Sequence, residues 1–263
     1  MDDSNKTRDD TALSHRRGPS NRRRASNSEP IDRVDTVLFD LDGTVCEYER
    51  SPGEVLGAAF DRAGVEPFFD VTAYYDRFGA FVDESEDIAA LRRNCFVDIA
   101  NERGRDPALG RAVAEAFASE RDHARVIFVD GAGDVLTHLD GQGYGLGLVT
   151  NGPPGTQRTK LDSLGVTDRF ETAVFAGHET PSKPHPEPFT RALDTLGAQP
   201  GQTLFVGDSL DSDIAGAQKI GMQTAWVTGD NTESTGAGGG EVSPGFVLES
   251  TGDLRAVLSG PDQ

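Results

Sequence analysis

Apolar positions along the chain follow two rhythms, which change at about residue 130. Before that point they recur at helical spacing over 53–63, 71–82, 86–101 and 107–121, the i, i+3, i+4 pattern of amphipathic helices. Gly64-Val65-Glu66-Pro67, an acidic break at 83–85 and the stretch from Gly104 to Pro107 separate these runs. Four helices with no strand between them are predicted. Beyond residue 130 the rhythm alternates: helix 132–141, strand 145–150, helix 156–164, strand 172–176, helix 186–197, strand 203–207, helix 210–220 and strand 223–228. Phe246-Val247-Leu248 and a short helix from Asp253 follow. Such alternation builds βαβ units on a parallel sheet. One more apolar, β-branched run, 35–40, precedes the four helices. The expected class is α/β, a three-layer α/β/α core formed by 31–47 and 126–263, with a helical module inserted at 48–125.

Two segments stand outside this pattern. Residues 1–30 lack aromatics and carry Arg16, Arg17, Arg22, Arg23 and Arg24 among Ser, Asn and Asp; their low hydrophobicity predicts a disordered, solvated Arg-rich tail. The glycine-rich stretch 230–245 predicts a surface loop.

Charge narrows the partners. Asp and Glu number 44 against 25 basic residues, only four of them Lys, for a net charge of −19. That balance resembles proteins of concentrated-salt cytoplasms, where salt screens the repulsion among surface carboxylates. It argues against nucleic acid as the main partner. Cys46 and Cys95 are the only cysteines, too few for a disulfide framework or a zinc site, and are expected to be small apolar residues of the interior. No run reaches the ~20 apolar residues of a membrane span, and the N-terminus has no apolar segment of the signal-peptide kind. A cytoplasmic protein with no membrane contact is expected.

The first strand ends in Asp40-Leu41-Asp42-Gly43-Thr44. Residues two apart on an extended strand face the same side, and two carboxylates there repel each other with no benefit to a core. A divalent cation or a phosphoryl group would give them a purpose. Ligands of an open parallel sheet collect beyond the C-terminal ends of its strands, where other strand ends are also polar. These are Thr150-Asn151-Gly152, the loop Ser182-Lys183-Pro184, and Gly207-Asp208-Ser209-Leu210-Asp211-Ser212-Asp213. A crevice with carboxylates, a hydroxyl and an ammonium suits phosphoryl transfer. Asp213 also fits a first-turn helix acid, and Asp211 a cap of the same helix. His178 and His185 lack a metal-ligand spacing and are expected at the surface. Arg92, Arg93 and Asn94 fit either a contact with a leaving group or a solvated helix face.

With those residues in place, the chain resembles the haloacid dehalogenase superfamily over about residues 34–250. Four motifs occur in order: Asp40-Leu41-Asp42-Gly43-Thr44, Thr150, Lys183-Pro184, and Asp208 with Asp213. The resemblance implies a Rossmann-like core, and the 48–125 module is similar to the family's C1-type four-helix cap. Segments 147–161, through Gln157, Lys160 and Leu161, and 206–226 are similar to the nucleotidase-like and N-acylneuraminate-phosphatase-like branch.

The resemblance also implies roles. Asp40 would be the nucleophile that forms an aspartyl-phosphate, and Asp42 the general acid/base. Thr150 and the Asn151 N–H would hold phosphoryl oxygens, and Lys183 would pair with Asp40 and the phosphoryl group. Mg²⁺ would sit on the Asp40 carboxylate, the Asp42 backbone carbonyl and Asp208. Asp213 would orient a metal water or Lys183, with Asp211 the rival for that place. Dehalogenases of the superfamily lack an acid at the Asp42 position. The implied activity is therefore hydrolysis of a small phosphorylated metabolite. The alternatives are a phosphomutase using the same residues and a binding protein that kept the fold without turnover.

Overall fold

The structure, a computed structural model, describes residues 34–81, 84–85, 87–229 and 242–258. The anticipated tail, 1–30, and most of the 230–245 loop lie outside the described residues.

Six parallel strands form the main sheet: β1 (Thr36–Phe39), β4 (Gly145–Asn151), β5 (Thr172–Ala176), β6 (Thr203–Gly207), β7 (Gln223–Val227) and β8 (Phe246–Leu248). Their order is β5-β4-β1-β6-β7-β8, so β1 is central and the order reverses beside it. Thr36–Phe39 pairs residue by residue with Gly145–Leu148 on one side and Thr203–Val206 on the other. All four β1 residues are buried. Their alternation assigns them to two cores: Val37 and Phe39 pack with Leu146, Leu148, Leu204 and Val206, whereas Leu38 packs with Val149, Val174 and Phe205. Period-two burial on both faces is what a central parallel strand requires. Helices α5 (Ala132–Gln142), α6 (Pro154–Leu164) and α9 (Leu254–Leu258) cover the first face, and α7 (Glu187–Leu196) with α8 (Ala215–Gln218) the second. This is the expected Rossmann-like α/β architecture.

The inserted stretch folds as α1 (Pro52–Ala63), α2 (Val71–Phe81), α3 (Ile88–Glu102) and α4 (Pro107–Glu120). Ser51 and Glu54 close a capping box over the start of α1, which satisfies two otherwise orphaned N–H groups. The four helices enclose a core of their own, with Phe60, Phe69, Tyr74, Phe96 and Phe117 fully or nearly buried. The rings meet edge to face, as in Phe69–Phe96 at 4.9 Å and Phe96–Phe117 at 5.8 Å between centroids, the arrangement that ring quadrupoles favour.

Two strands outside the sequence expectation complete the fold. β2 (Cys46–Tyr48) and β3 (Val126–Phe128) pair antiparallel, Tyr48 facing Val126. This ribbon carries the chain into and out of the helices and lies across the anticipated 47/48 boundary. Three-residue strands are too short for alternation to mark them. The expected helix 210–220 also differs: Leu210–Ile214 forms a wide turn with i to i+5 bonding, followed by one turn of α-helix at α8. Single wide turns of this kind recur at functional sites.

Candidate active site

The β1–β2 turn is drawn tight by one carbonyl: Leu41 C=O accepts from both Val45 N–H and Cys46 N–H at 2.9 Å. Gly43 within it has φ 75°, and a Cβ there would overlap the Asp208 carboxylate. Only glycine suits both demands. Asp208 is held from behind by Trp226, whose indole N–H donates to the Asp208 carbonyl at 2.8 Å. Gly207 performs a similar service for Asp213, whose carboxylate occupies the space a Cβ would take.

Asp40, Asp208 and Asp213 converge, with one oxygen of each lying within 4.8 Å of the others. Lys183 enters from the β5–α7 loop. Its ammonium reaches Asp40 Oδ1 at 2.8 Å, Asp213 Oδ1 at 2.7 Å and the Val149 carbonyl at 2.8 Å. Asn151 fixes that loop through its side chain: Oδ1 accepts from Lys183 N–H at 2.9 Å, and Nδ2 donates to the Lys183 carbonyl at 3.3 Å. Asp213 Oδ2 also accepts from Ser209 N–H at 3.1 Å. The cap of the following turn is Ser209, which accepts from Ser212 N–H. Asp211, the anticipated cap, is exposed and lies inside the turn, which begins at Leu210 and so makes Ser209 the residue that caps it.

Electrostatics here are unbalanced. Burial raises Asp40 to about 6, with Lys183 pulling down and Asp213 pushing up. Burial, then Asp40 and Asp213, raise Asp208 to about 8. Burial works against the Lys183 charge, yet Asp40 and Asp213 hold it above its ordinary value. Three carboxylates thus face one ammonium. An all-oxygen set with excess negative charge fits a hard divalent cation.

Asp42 stands apart from that cluster. Its carboxylate is gripped by two residues one helical turn apart on α6: Lys160 Nζ lies 2.6 and 2.7 Å from its oxygens, and Gln157 Nε2 donates at 2.9 Å. Gln157 Nε2 also lies 2.8 Å from Thr150 Oγ1 and 3.3 Å from the Asn151 carbonyl, so its two N–H donors are shared among three acceptors. The Thr150 hydroxyl therefore keeps its own proton to offer elsewhere. In the sequence, the family resemblance marks Gln157 and Lys160. Their i, i+3 spacing just after Thr150-Asn151-Gly152 was the available signal.

Other anticipated positions divide. His178, His185 and Arg93 are exposed. Arg92 is buried against Phe117, its guanidinium carbon 4.8 Å from the ring centre, and Asn94 donates to Ser85 Oγ. Cys46 and Cys95 are buried and free.

The chain is similar to several known proteins. Glyceraldehyde 3-phosphate phosphatase of Pyrococcus abyssi is 42% identical over 98 residues, 37% of this chain and 41% of that one. Phosphoserine phosphatase of Thermus thermophilus is 34% identical over 169 residues, 64% of each chain. The matches thus span about two-fifths to just under two-thirds of these relatives. The HAD-hydrolase YfnB of Bacillus subtilis, solved bound to magnesium, superposes with a TM-score of 0.70 at 24% identity, over 86% of this chain and 99% of that one. The profile of haloacid dehalogenase-like hydrolases matches residues 34–221, a span that takes in every strand-end motif described above, and the chain accordingly belongs to that hydrolase family.

Proposed function

We propose that the protein is a Mg²⁺-dependent phosphatase that hydrolyses a small phosphorylated metabolite. The observation that carries this reading is the convergence of Asp40, Asp208 and Asp213 at the end of β1, with the buried Lys183 paired to Asp40 and Asp213. Relatives named as phosphatases support it, as does an acid at position 42.

In this reading Asp40 attacks phosphorus as the bond to the leaving oxygen breaks, giving an aspartyl-phosphate. Asp42 hands its proton to the leaving oxygen, then takes one from the water that attacks phosphorus and frees Asp40. Lys183 counters the charge on the phosphoryl oxygens and on Asp40. Thr150 and the Asn151 N–H donate to those oxygens. Asp213 fixes Lys183. Asp40, Asp208 and the Asp42 carbonyl would hold Mg²⁺, with Asp213 behind them; when bound, it supplies further neutralisation of the phosphoryl charge. The helices α1–α4 serve as a cap domain over this centre. The acidic composition suits a salt-rich cytoplasm.

Phosphate release from p-nitrophenyl phosphate tests the proposal. Activity should require Mg²⁺ and vanish both with EDTA and in Asp40→Asn; turnover by the variant at the wild-type rate would refute it.

A further inference from the structure

The chain has four lysines, and Lys160 is one of two that are buried beside the strand ends. Its ammonium lies 4.9 Å from the centre of the Tyr48 ring. The Arg121 guanidinium packs on the same ring at 4.3 Å. Tyr48 Oη and His123 Nδ1 are 2.7 Å apart. Arg92, from α3, hydrogen-bonds Tyr74; burial above all, with Arg121 adding to it, holds its guanidinium below the ordinary value, and Arg92 in turn disfavours charge on His123. Arg92 is 7% exposed, and its Nε has no hydrogen-bond partner among the described residues.

Two guanidinium groups, an ammonium and an imidazole therefore gather round β2 from α3, α6 and the α4–β3 linker. Among the described residues the only carboxylate within ion-pair distance of any of them is Asp42, on Lys160. A buried guanidinium with an unmet donor is costly, and a basic cluster in a chain of charge −19 concentrates positive potential at one place. By contrast, the cavity of about 500 Å³ beside Gly43 and Asp208 is walled by Glu47, Asp130, Glu249 and Asp253, which repel an anion.

We propose that Arg121, Arg92 and Lys160 form a subsite for a second anionic group, a carboxylate or a second phosphate, on the leaving-group side of the substrate. The inference rests on the phosphatase reading, because a proton donated by Asp42 to the leaving oxygen is what puts the leaving group beside Lys160. Lys160 then shares its charge between Asp42 and the incoming anion. His123 and Tyr48, hydrogen-bonded to each other, complete the wall.

Three two-carbon esters test this with the full chain and Mg²⁺: ethyl phosphate, phosphoglycolate and ethylene glycol bisphosphate. At least one anionic ester should exceed ethyl phosphate by about tenfold or more in kcat/KM, chiefly through KM, as charge-assisted pairing predicts. Whichever is better identifies the carboxylate or the phosphate as the group bound. Arg121→Met and Arg92→Met should each lower that ratio several-fold, and Arg121→Lys should restore part of it. Ethyl phosphate turned over as well as both anionic esters would overturn the subsite and leave the phosphatase reading standing. So would a ratio that survives Arg121→Met. The wild-type ratio decides if a variant fails to fold. No release from any ester, p-nitrophenyl phosphate included, would remove the phosphatase reading and the subsite together.

Discussion

Lys183 and Asp213 form an ion pair of 2.7 Å in which each side chain is 1% exposed. Asp213 therefore holds the same ammonium that reaches Asp40. An unpaired charge in such a place is strongly unfavourable, so the two depend on each other.

Lys183→Met should reduce turnover about a hundredfold to a thousandfold, the scale for losing one preorganised charge donor. It should also cost ~3–5 kcal/mol of stability near neutral pH, as removal of one buried partner does. Part of that stability should return near pH 5, where the stranded carboxylates take up protons. Denaturant melts at the two pH values measure this. An equal loss at both would show that the carboxylates are not its source.

Asp208, at about 8, and Asp40, at about 6, both sit above the ordinary carboxylate value of 3.8. Over that window the folded, metal-free protein binds protons that the unfolded chain has released. Its stability therefore falls as pH rises from about 4 through about 8. Mg²⁺ favours the deprotonated set, so the Tm gained on adding it should grow over the same range. Melting curves with EDTA and with Mg²⁺ at about pH 5, 7 and 9 give the comparison. A metal-free Tm that climbs with pH would contradict it.

Gly43→Ala should weaken Mg²⁺ binding and stability together, because the new methyl would occupy the position of the Asp208 carboxylate at a φ of 75°. Gly57→Ala, in α1 with nothing within 4 Å of the added Cβ, should instead gain about 0.5–1 kcal/mol. Calorimetric Mg²⁺ titration and thermal melts of both variants separate a local clash from a general effect of adding a methyl group.

Gln157→Leu removes the one amide that joins Asp42, Thr150 and the Asn151 carbonyl. Thr150 and Asp42 would lose their common anchor. Turnover of an alkyl phosphate should fall by about tenfold or more, as misplacement of reacting groups predicts. Stability should drop by roughly 1–2 kcal/mol for the broken hydrogen bonds. Steady-state kinetics alongside melts would expose a merely structural role, which would lower stability without changing kcat.

The main sheet was legible in the sequence because its strands are β-branched runs at the spacing of βαβ units, and the cap helices because their apolar stripes have period 3.6. Asp40, Lys183 and Asp208 were legible because polar residues at the ends of buried strands have few structural reasons to be there. The β2–β3 ribbon was not, since three residues a strand give no countable rhythm and the partners lie some eighty residues apart. Nor was Ser209 as the cap, because the i to i+5 turn shifts the helical register and leaves Asp211 facing out. The grip of Gln157 and Lys160 on Asp42 joins α6 to the β1 end across 115 and 118 residues of chain, a tertiary contact whose partner the i, i+3 spacing on α6 does not name.

The Tyr48–Val126 pairing has a topological consequence. The chain leaves and rejoins the catalytic half at one point, so the ribbon amounts to a hairpin whose loop is residues 49–125. None of the six parallel strands is drawn from that loop. A two-residue turn joining Tyr48 to Val126 would leave every sheet pairing and all of the convergent carboxylates in the remaining chain. The helices are thus a single insertion, joined to the sheet-bearing part of the chain through one pair of splice points.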